Sequence, residues 1–171
     1  MQFREPVASD GPAITALIAQ CPPLDPNSAY CNLLQCTHFA DSCVIAERDG
    51  VIAGWVSGYR PPSEPECFFV WQVAVAPHAR GQGLGSRMIQ ELLDRASAQG
   101  VTHLITTVTE DNAASWALFE GLARKWRTDL SKSAFFESDT HFAGAHATEW
   151  LARIGPLPRA ARGSTSGATA I

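Results

Sequence analysis

The chain has 171 residues, 46% of them apolar and 18% charged, which suits one soluble globular domain and excludes wholesale disorder. Thirteen basic residues against seventeen acidic ones leave a net charge of −4 with no sustained basic run, so nucleic acid and anionic membrane surfaces are poor partners. The opening Met1-Gln2-Phe3-Arg4-Glu5 lacks the apolar core of a signal peptide, and no stretch approaches the ~20 apolar residues of a membrane span. A cytoplasmic protein is expected.

Helix and strand signals alternate along the chain. Asp10-Gly11-Pro12 reads as a helix start, an N-cap acid with proline in the first turn, followed by Ile14, Leu17 and Ile18 at helical spacing. The loop Cys21–Pro26 leads to a second short helix near Ser28–His38. Cys43–Glu47 and Val51–Tyr59 flank Asp49-Gly50, a hairpin signal because both turn positions need positive φ. Phe68–Val75 is a nearly continuous apolar run, expected of a strand buried on both faces.

After Pro77 a glycine cluster opens a helix over Leu84–Gln99, with Met88, Ile89, Leu92, Leu93 and Ala96 as its apolar stripe and Gly100 as its stop. Val101–Thr109 reads as a second core strand. Asp111-Asn112 starts a helix through about Ala123, with Trp116, Leu118, Phe119 and Leu122 turned inward. Beyond Trp126 the pattern weakens, recovering as a last strand over Thr148–Ile154. Residues 1–156 form the expected domain, an α/β fold with a mixed sheet, and 157–171 a disordered tail of small and polar residues. Five cysteines (Cys21, Cys31, Cys36, Cys43 and Cys67), an odd count with no Cys-x-x-Cys pair, read as buried free thiols; neither a disulfide framework nor a metal site is expected.

The segment that carries chemistry is Val73-Ala74-Val75-Ala76-Pro77-His78-Ala79-Arg80-Gly81-Gln82-Gly83-Leu84-Gly85-Ser86. A buried strand running into a glycine-rich turn that opens a helix gathers free backbone N–H groups and a positive helix end at one spot, which suits a phosphate. A dinucleotide loop would need glycine where Ser86 stands, and a nucleoside-triphosphate loop would need a Gly-Lys-Ser/Thr that is absent. A tight turn with no ligand is the plain alternative. Arg80-Gly81-Gln82-Gly83-Leu84-Gly85 does match Arg/Gln-x-x-Gly-x-Gly/Ala, and in this it resembles the acetyl-coenzyme A signature of the GCN5-related N-acetyltransferases. The order of hairpin, core strand, signature, helix, strand and a helix after Asn112 is similar to theirs as well.

That resemblance implies their fold, a mixed and mostly antiparallel sheet flanked by helices, with acetyl-coenzyme A as co-substrate. The diphosphate would lie on Arg80, Gly81, Gly83, Leu84, Gly85 and Ser86, and the pantetheine amides on the backbone of Val73 and Val75 at a split in the sheet. Asn112 and Phe119 would complete the cofactor wall. Members often carry a tyrosine, as acid for the leaving thiolate, where this chain has Phe119, which has no proton to give. A thiol with a pKa near ~8.5 is a tolerable leaving group without one. A homodimer is what the family implies.

Three further stretches resemble the L-2,4-diaminobutyric acid acetyltransferases of ectoine synthesis. These are Leu24–Tyr30 with His38–Cys43, Gly58–Pro62 with Phe69–Val75, and Arg153–Pro156. The resemblance implies transfer of acetyl to the γ-amine of L-2,4-diaminobutyrate, a small zwitterion, in an osmotic-stress setting. Asp25, Ser28 and Tyr30 at a loop–helix junction then become candidate substrate groups, with helix capping the other reading of Asp25 and Ser28. Trp71 is either a pocket wall or ordinary core, and strand parity does not decide it, because a bulge beside the cofactor would change the face.

An attacking amine must be neutral, so a proton acceptor is required. Glu149 and His146, three residues apart in a segment that resembles the family's, are the candidates, as base or as substrate contacts. A backbone N–H at Val73 would hold the oxyanion of a direct attack. His38, His78 and His103 read as surface or core histidines. A cysteine acyl-enzyme at Cys67 is the rival chemistry, with no basic neighbour in sequence to activate it. Acetylation of another small amine, and a non-catalytic acetyl-coenzyme A sensor, remain alternatives at this level.

Overall fold

The computed structural model describes residues 1–95 and 100–158. Seven strands form one sheet in the order β1-β2-β3-β4-β5-β7-β6. They are β1 (Gln2–Arg4), β2 (Val44–Arg48), β3 (Val51–Tyr59), β4 (Cys67–Val75), β5 (His103–Thr109), β6 (Leu130–Phe136) and β7 (Glu149–Ile154). Every pair is antiparallel except β4 with β5. The hairpin between β2 and β3 turns at Asp49 (φ 53°) and Gly50 (φ 77°), as the Asp-Gly signal predicts.

Two layers of helix cover the sheet. α1 (Gly11–Ala19) and α2 (Ala29–Thr37) lie over one face, where Ile14, Leu17, Ile18 and Cys36 pack with Ile45, Trp55 and Ala74. α3 (Leu84–Asp94) and α4 (Ala113–Trp126) cover the other, where Met88, Ile89, Leu92, Phe119 and Leu122 meet Val44, Val56, Phe68, Val70 and Leu104. Trp126 Nε1 donates to Gln90 Oε1 at 3.0 Å, joining the two helices of that layer. A short α5 (Ser138–Phe142) links β6 to β7.

Several expectations are corrected. Asp10 precedes α1 but does not cap it. Its carboxylate is drawn to Arg4 (2.8 Å and 2.9 Å) and to the N–H of Val7 (2.8 Å), because a guanidinium outbids a helix amide as partner. α3 stops at Asp94, with Arg95 in extended conformation, so Gly100 is not its stop; Ala96–Gln99 lie outside the described residues. α4 runs to Trp126, three residues past the expected Ala123. β6 and α5 fall where the apolar pattern fades. β6 is an edge strand with exposed side chains, so it shows no alternation to read. β4 is not buried on both faces, since Trp71 is 45% exposed. Leu157, read as part of the tail, is buried, and its N–H donates to Thr102 O at 2.7 Å; the remainder of the expected tail, 159–171, lies outside the described residues.

Arg4 ties β1 to both Asp10 and Glu47, and its hydrogen bonds hold the Asp10 carboxyl below the usual carboxylate range. A carboxyl depressed on folding stabilises the native state above its unfolded pKa and ceases to as pH falls through the folded value. Asp10→Asn should therefore cost about 1 kcal/mol at pH 7. Urea denaturation of the two proteins should converge progressively as pH drops below about 4.

Candidate active site

The sheet opens at its centre. β4 and β5 pair only through Cys67–Phe69 opposite His103–Ile105. The hydroxyl of Thr106 then donates to Val70 O at 2.9 Å, and the strands part. On the other flank Gln72 pairs with Ser57 and Val70 with Gly58, which leaves Trp71 as the extra residue of a bulge. One extra residue reverses the alternation. Phe68 and Val70 therefore face the α3–α4 layer before the bulge, and Val73 and Val75 face it after the bulge.

Hydrogen-bond parity follows from Ala76, whose N–H donates to Ala53 O at 2.9 Å. Counting back along the antiparallel pair, Ala74 and Gln72 bond to β3, while Val73 and Val75 turn their N–H and C=O groups into the gap. Val75 O accordingly accepts from Arg80 Nε at 3.1 Å and from Cys21 Sγ at 3.4 Å. The open edge thus leaves the N–H groups of Val73 and Val75 and the carbonyl of Val73 available to a ligand that carries amides of its own.

The glycine-rich turn stands below this edge. The first bond within α3 runs from Arg87 N–H to Gly83 O, so the N–H groups of Leu84, Gly85 and Ser86 precede the helical ladder. Together with the positive helix end they form an anion cradle. Gly83 occupies the left-handed region (φ 67°, ψ 20°), a conformation that costs an L side chain about 1 kcal/mol or more. Gly85 has a different reason. A Cβ there would sit 3.3 Å from Val73 Cγ1 and 3.5 Å from Leu118, so its absence lets α3 approach β4. Arg80 is exposed and also donates to Gln20 O at 3.4 Å, which binds the turn to the loop after α1.

Two clefts meet at the gap. One, of about 330 Å³, is lined by Val73, Val75, Arg80, Gly81, Gly83, Leu84, Gly85, Ser86 and Asn112, with Cys21–Leu24 opposite. It thus gathers every residue expected to hold the cofactor except Phe119. The other, of about 580 Å³, is lined by Asp25, Asn27, Trp71, Gln72, Val73, Thr106–Thr109, Phe119, Phe142, His146 and Glu149. Pro23, Leu24, Val73, Asn112 and Ser115 border both. Asn112 also caps α4, accepting from Ser115 N–H at 3.1 Å. Phe119 is 3% exposed and packs in the core as well as against the second cleft.

Of the expected substrate groups, Asp25, Trp71, His146 and Glu149 line the second cleft, and Ser28 and Tyr30 do not. Ser28 caps α2, accepting from Cys31 N–H at 3.0 Å, while Tyr30 is 70% exposed. Trp71 is a wall of the cleft and stacks edge-on to Tyr59, with centroids 6.2 Å apart. Glu149 opens β7, paired with Thr109 on one side and Phe136 on the other. His146 Nδ1 bonds Ala147 O at 2.7 Å, and because a carbonyl only accepts, that nitrogen carries the proton. In the neutral ring Nε2 is then the acceptor, and it lies 3.9 Å from Glu149 Oε1.

Cys36, Cys43 and Cys67 are poorly placed for nucleophilic work. Burial pushes Cys36 up to about 11 and Cys43 up to about 12. Cys67 is also raised by burial and is engaged by Arg153, which bonds Glu64 as well; it lines neither cleft. Sequence reading passed over Gln72, Thr106, Ser115 and Asn27. Gln72 and Asn27 lie within stretches that carry the resemblance, but their own side chains had no assigned role, and only the tertiary fold sets all four at the cleft.

The fold and this divided site define an acyl-transfer enzyme class, and comparison with known proteins agrees. A model of the acetyltransferase (GNAT) family matches residues 12–123, and the chain belongs to that family. Within it, the chain is 49% identical to an L-2,4-diaminobutyric acid acetyltransferase of Methylotuvimicrobium alcaliphilum, over 90% of this chain and 89% of the relative. It is 51% identical to the protein of the same name from Vibrio parahaemolyticus, over 89% and 84%. Among solved structures, it is similar to the diaminobutyrate acetyltransferase of Paenibacillus lautus in complex with L-2,4-diaminobutyric acid and coenzyme A. That likeness has a TM-score of 0.86 at 38% identity, covering 91% of this chain and 94% of the other.

The close approach at Gly85 gives a direct check of the geometry. Gly85→Val should force branched methyls against Val73 and Leu118 and destabilise the protein by about 1–3 kcal/mol in urea denaturation.

Proposed function

We propose that this protein transfers the acetyl group of acetyl-coenzyme A to the γ-amine of L-2,4-diaminobutyrate, giving N4-acetyl-L-2,4-diaminobutyrate for ectoine synthesis. The observation that carries the reading is the junction of two unlike clefts at Val73. One is a phosphate cradle beside an open strand edge, and the other is a polar and aromatic chamber that ends at His146 and Glu149. The identity of about half of the aligned residues with enzymes of this name supports the substrate.

The diphosphate rests on the turn from Arg80 to Ser86, and the pantetheine arm runs along the open edge at Val75 and Val73. This delivers the thioester carbonyl to the point where the clefts meet. The γ-ammonium gives up a proton to Glu149, or to Nε2 of His146 beside it, and the neutral amine attacks the carbonyl carbon. The oxyanion is held by the N–H of Val73, which no strand partner occupies among the described residues. As the intermediate collapses the C–S bond breaks and the coenzyme A thiolate leaves. Phe119 has no proton to offer. The hydroxyl on the wall common to both clefts is that of Ser115, one turn earlier on α4; in this reading it takes the second proton from the attacking nitrogen as it hands its own to the thiolate, so the serine is regenerated.

Asp25 and Trp71 contact the substrate in this reading, whereas Ser28 acts by capping α2 rather than by touching it. With acetyl-coenzyme A as co-substrate, the enzyme works in the cytoplasm. A homodimer is part of the proposal, supported by the exposed Phe135 and Phe136 on the edge strand β6.

Free-thiol release from acetyl-coenzyme A should be fast with L-2,4-diaminobutyrate and slow with lysine, ornithine and putrescine, with NMR placing the acetyl group on the γ-nitrogen. Comparable rates on all four amines would refute the substrate assignment. Glu149→Gln keeps the shape of the side chain and removes its basicity, so kcat should fall by roughly 100-fold or more while coenzyme A affinity is unchanged.

A further inference from the structure

The acceptor cleft holds a polar atom that the reaction above does not use. Gln72 is 4% exposed and lines the cleft opposite its register partner Ser57. Its Nε2 donates to Asp25 O, and this fixes the amide, since the flipped orientation would set two oxygens together. Oε1 is left buried with no hydrogen-bond partner among the described residues. On the loop that Gln72 holds, Asn27 has positive φ (54°), with its N–H bonded to Asp25 Oδ1 at 3.1 Å. Its Nδ2 is likewise buried and unpartnered among the described residues, and Asn27 lines the same cleft. A native fold rarely keeps an unpaired acceptor and an unpaired donor together at one cleft wall without a ligand to satisfy them.

We propose that Gln72 is a specificity-determining residue: its Oε1 receives the α-ammonium of the amino-acid substrate, while Asn27 Nδ2 donates to the α-carboxylate. This rests on the acetyltransferase reading above. The γ-amine has to lose its charge beside His146 and Glu149 before it can attack, so it gains little from a second acceptor. The α-ammonium stays charged throughout and keeps one. Gln72 also precedes Val73 in the chain, which places the α-centre within one strand residue of the reacting carbonyl. A simple diamine has neither an α-ammonium nor a carboxylate and leaves both protein groups unsatisfied.

The test is titration calorimetry of L-2,4-diaminobutyrate into the full-length protein saturated with coenzyme A. Gln72→Met removes both donor and acceptor, whereas Gln72→Glu keeps an acceptor oxygen and loses only the donor to Asp25. The Met variant should bind the amino acid about tenfold more weakly or worse, and the Glu variant within about threefold of wild type or more tightly. Coenzyme A affinity should be unchanged in both. Equal losses in the two variants would show that only the tie to Asp25 matters and would overturn the proposal, as would no loss in the Met variant. If Gln72→Glu fails to fold, the Met variant is titrated with 4-aminobutyrate, which lacks the α-ammonium. Its penalty relative to wild type should vanish there, and an undiminished penalty overturns the assignment. A wild-type protein that does not acetylate diaminobutyrate is recognised separately, by absence of product, and removes the underlying reading together with this one.

Discussion

The parting of β4 from β5 after Phe69 and Ile105 is the constraint on which the rest of the molecule depends. Parallel strands normally continue pairing until one of them ends, because each unpaired N–H and C=O inside a domain is costly. Here one side-chain bond, Thr106 Oγ1 to Val70 O, ends the ladder, and the N–H groups of Val73 and Val75 and the carbonyl of Val73 are left open. Those groups are tolerable because the gap is a cleft and not a sealed interior. A ligand that carries amide groups can supply what the missing strand does not.

The bulge at Trp71 is the second half of the same device. By inserting one residue opposite Ser57 and Gly58 it brings Val73 and Val75 round to the side on which α3 packs, so that the open edge and the phosphate cradle share a wall. It also leaves the indole of Trp71 in the acceptor cleft and turns Gln72 toward the Asp25–Asn27 loop. Gly85 then lets the start of α3 close on Val73. One irregular strand therefore connects the two halves of the reaction.

Two walls of the acceptor side are built from what lies outside the regular core. The loop after α1 furnishes one wall, and the β6–α5 excursion furnishes Phe142 and carries the chain round to His146 and Glu149. Division of labour of this kind leaves the cofactor half rigid, on a strand and a helix end. Substrate contacts are shared between loops, which carry Asp25, Asn27 and His146, and strand positions at the gap, which carry Trp71 and Glu149.

By itself the sequence determined the parts whose physics is local. The Asp49-Gly50 turn, the stripe of Met88, Ile89, Leu92 and Leu93, the Asn112 cap and the glycine turn after a buried strand each depend on neighbours within a few residues. They place the cofactor cradle and most of the fold. Residues Leu130–Phe142 were not legible, because an exposed edge strand and a five-residue helix bury too little to impose a period. Asp10 was misread for a related reason: a local cap motif lost to a guanidinium six residues away. Tertiary structure alone decided that Trp71 is a bulge, that Ser28 and Tyr30 stay outside the cleft while Asp25 enters it, and that Gln72 and Asn27 face a common space. Strand parity, register and the gap between β4 and β5 are properties of paired backbones, and no single stretch of chain contains its partner.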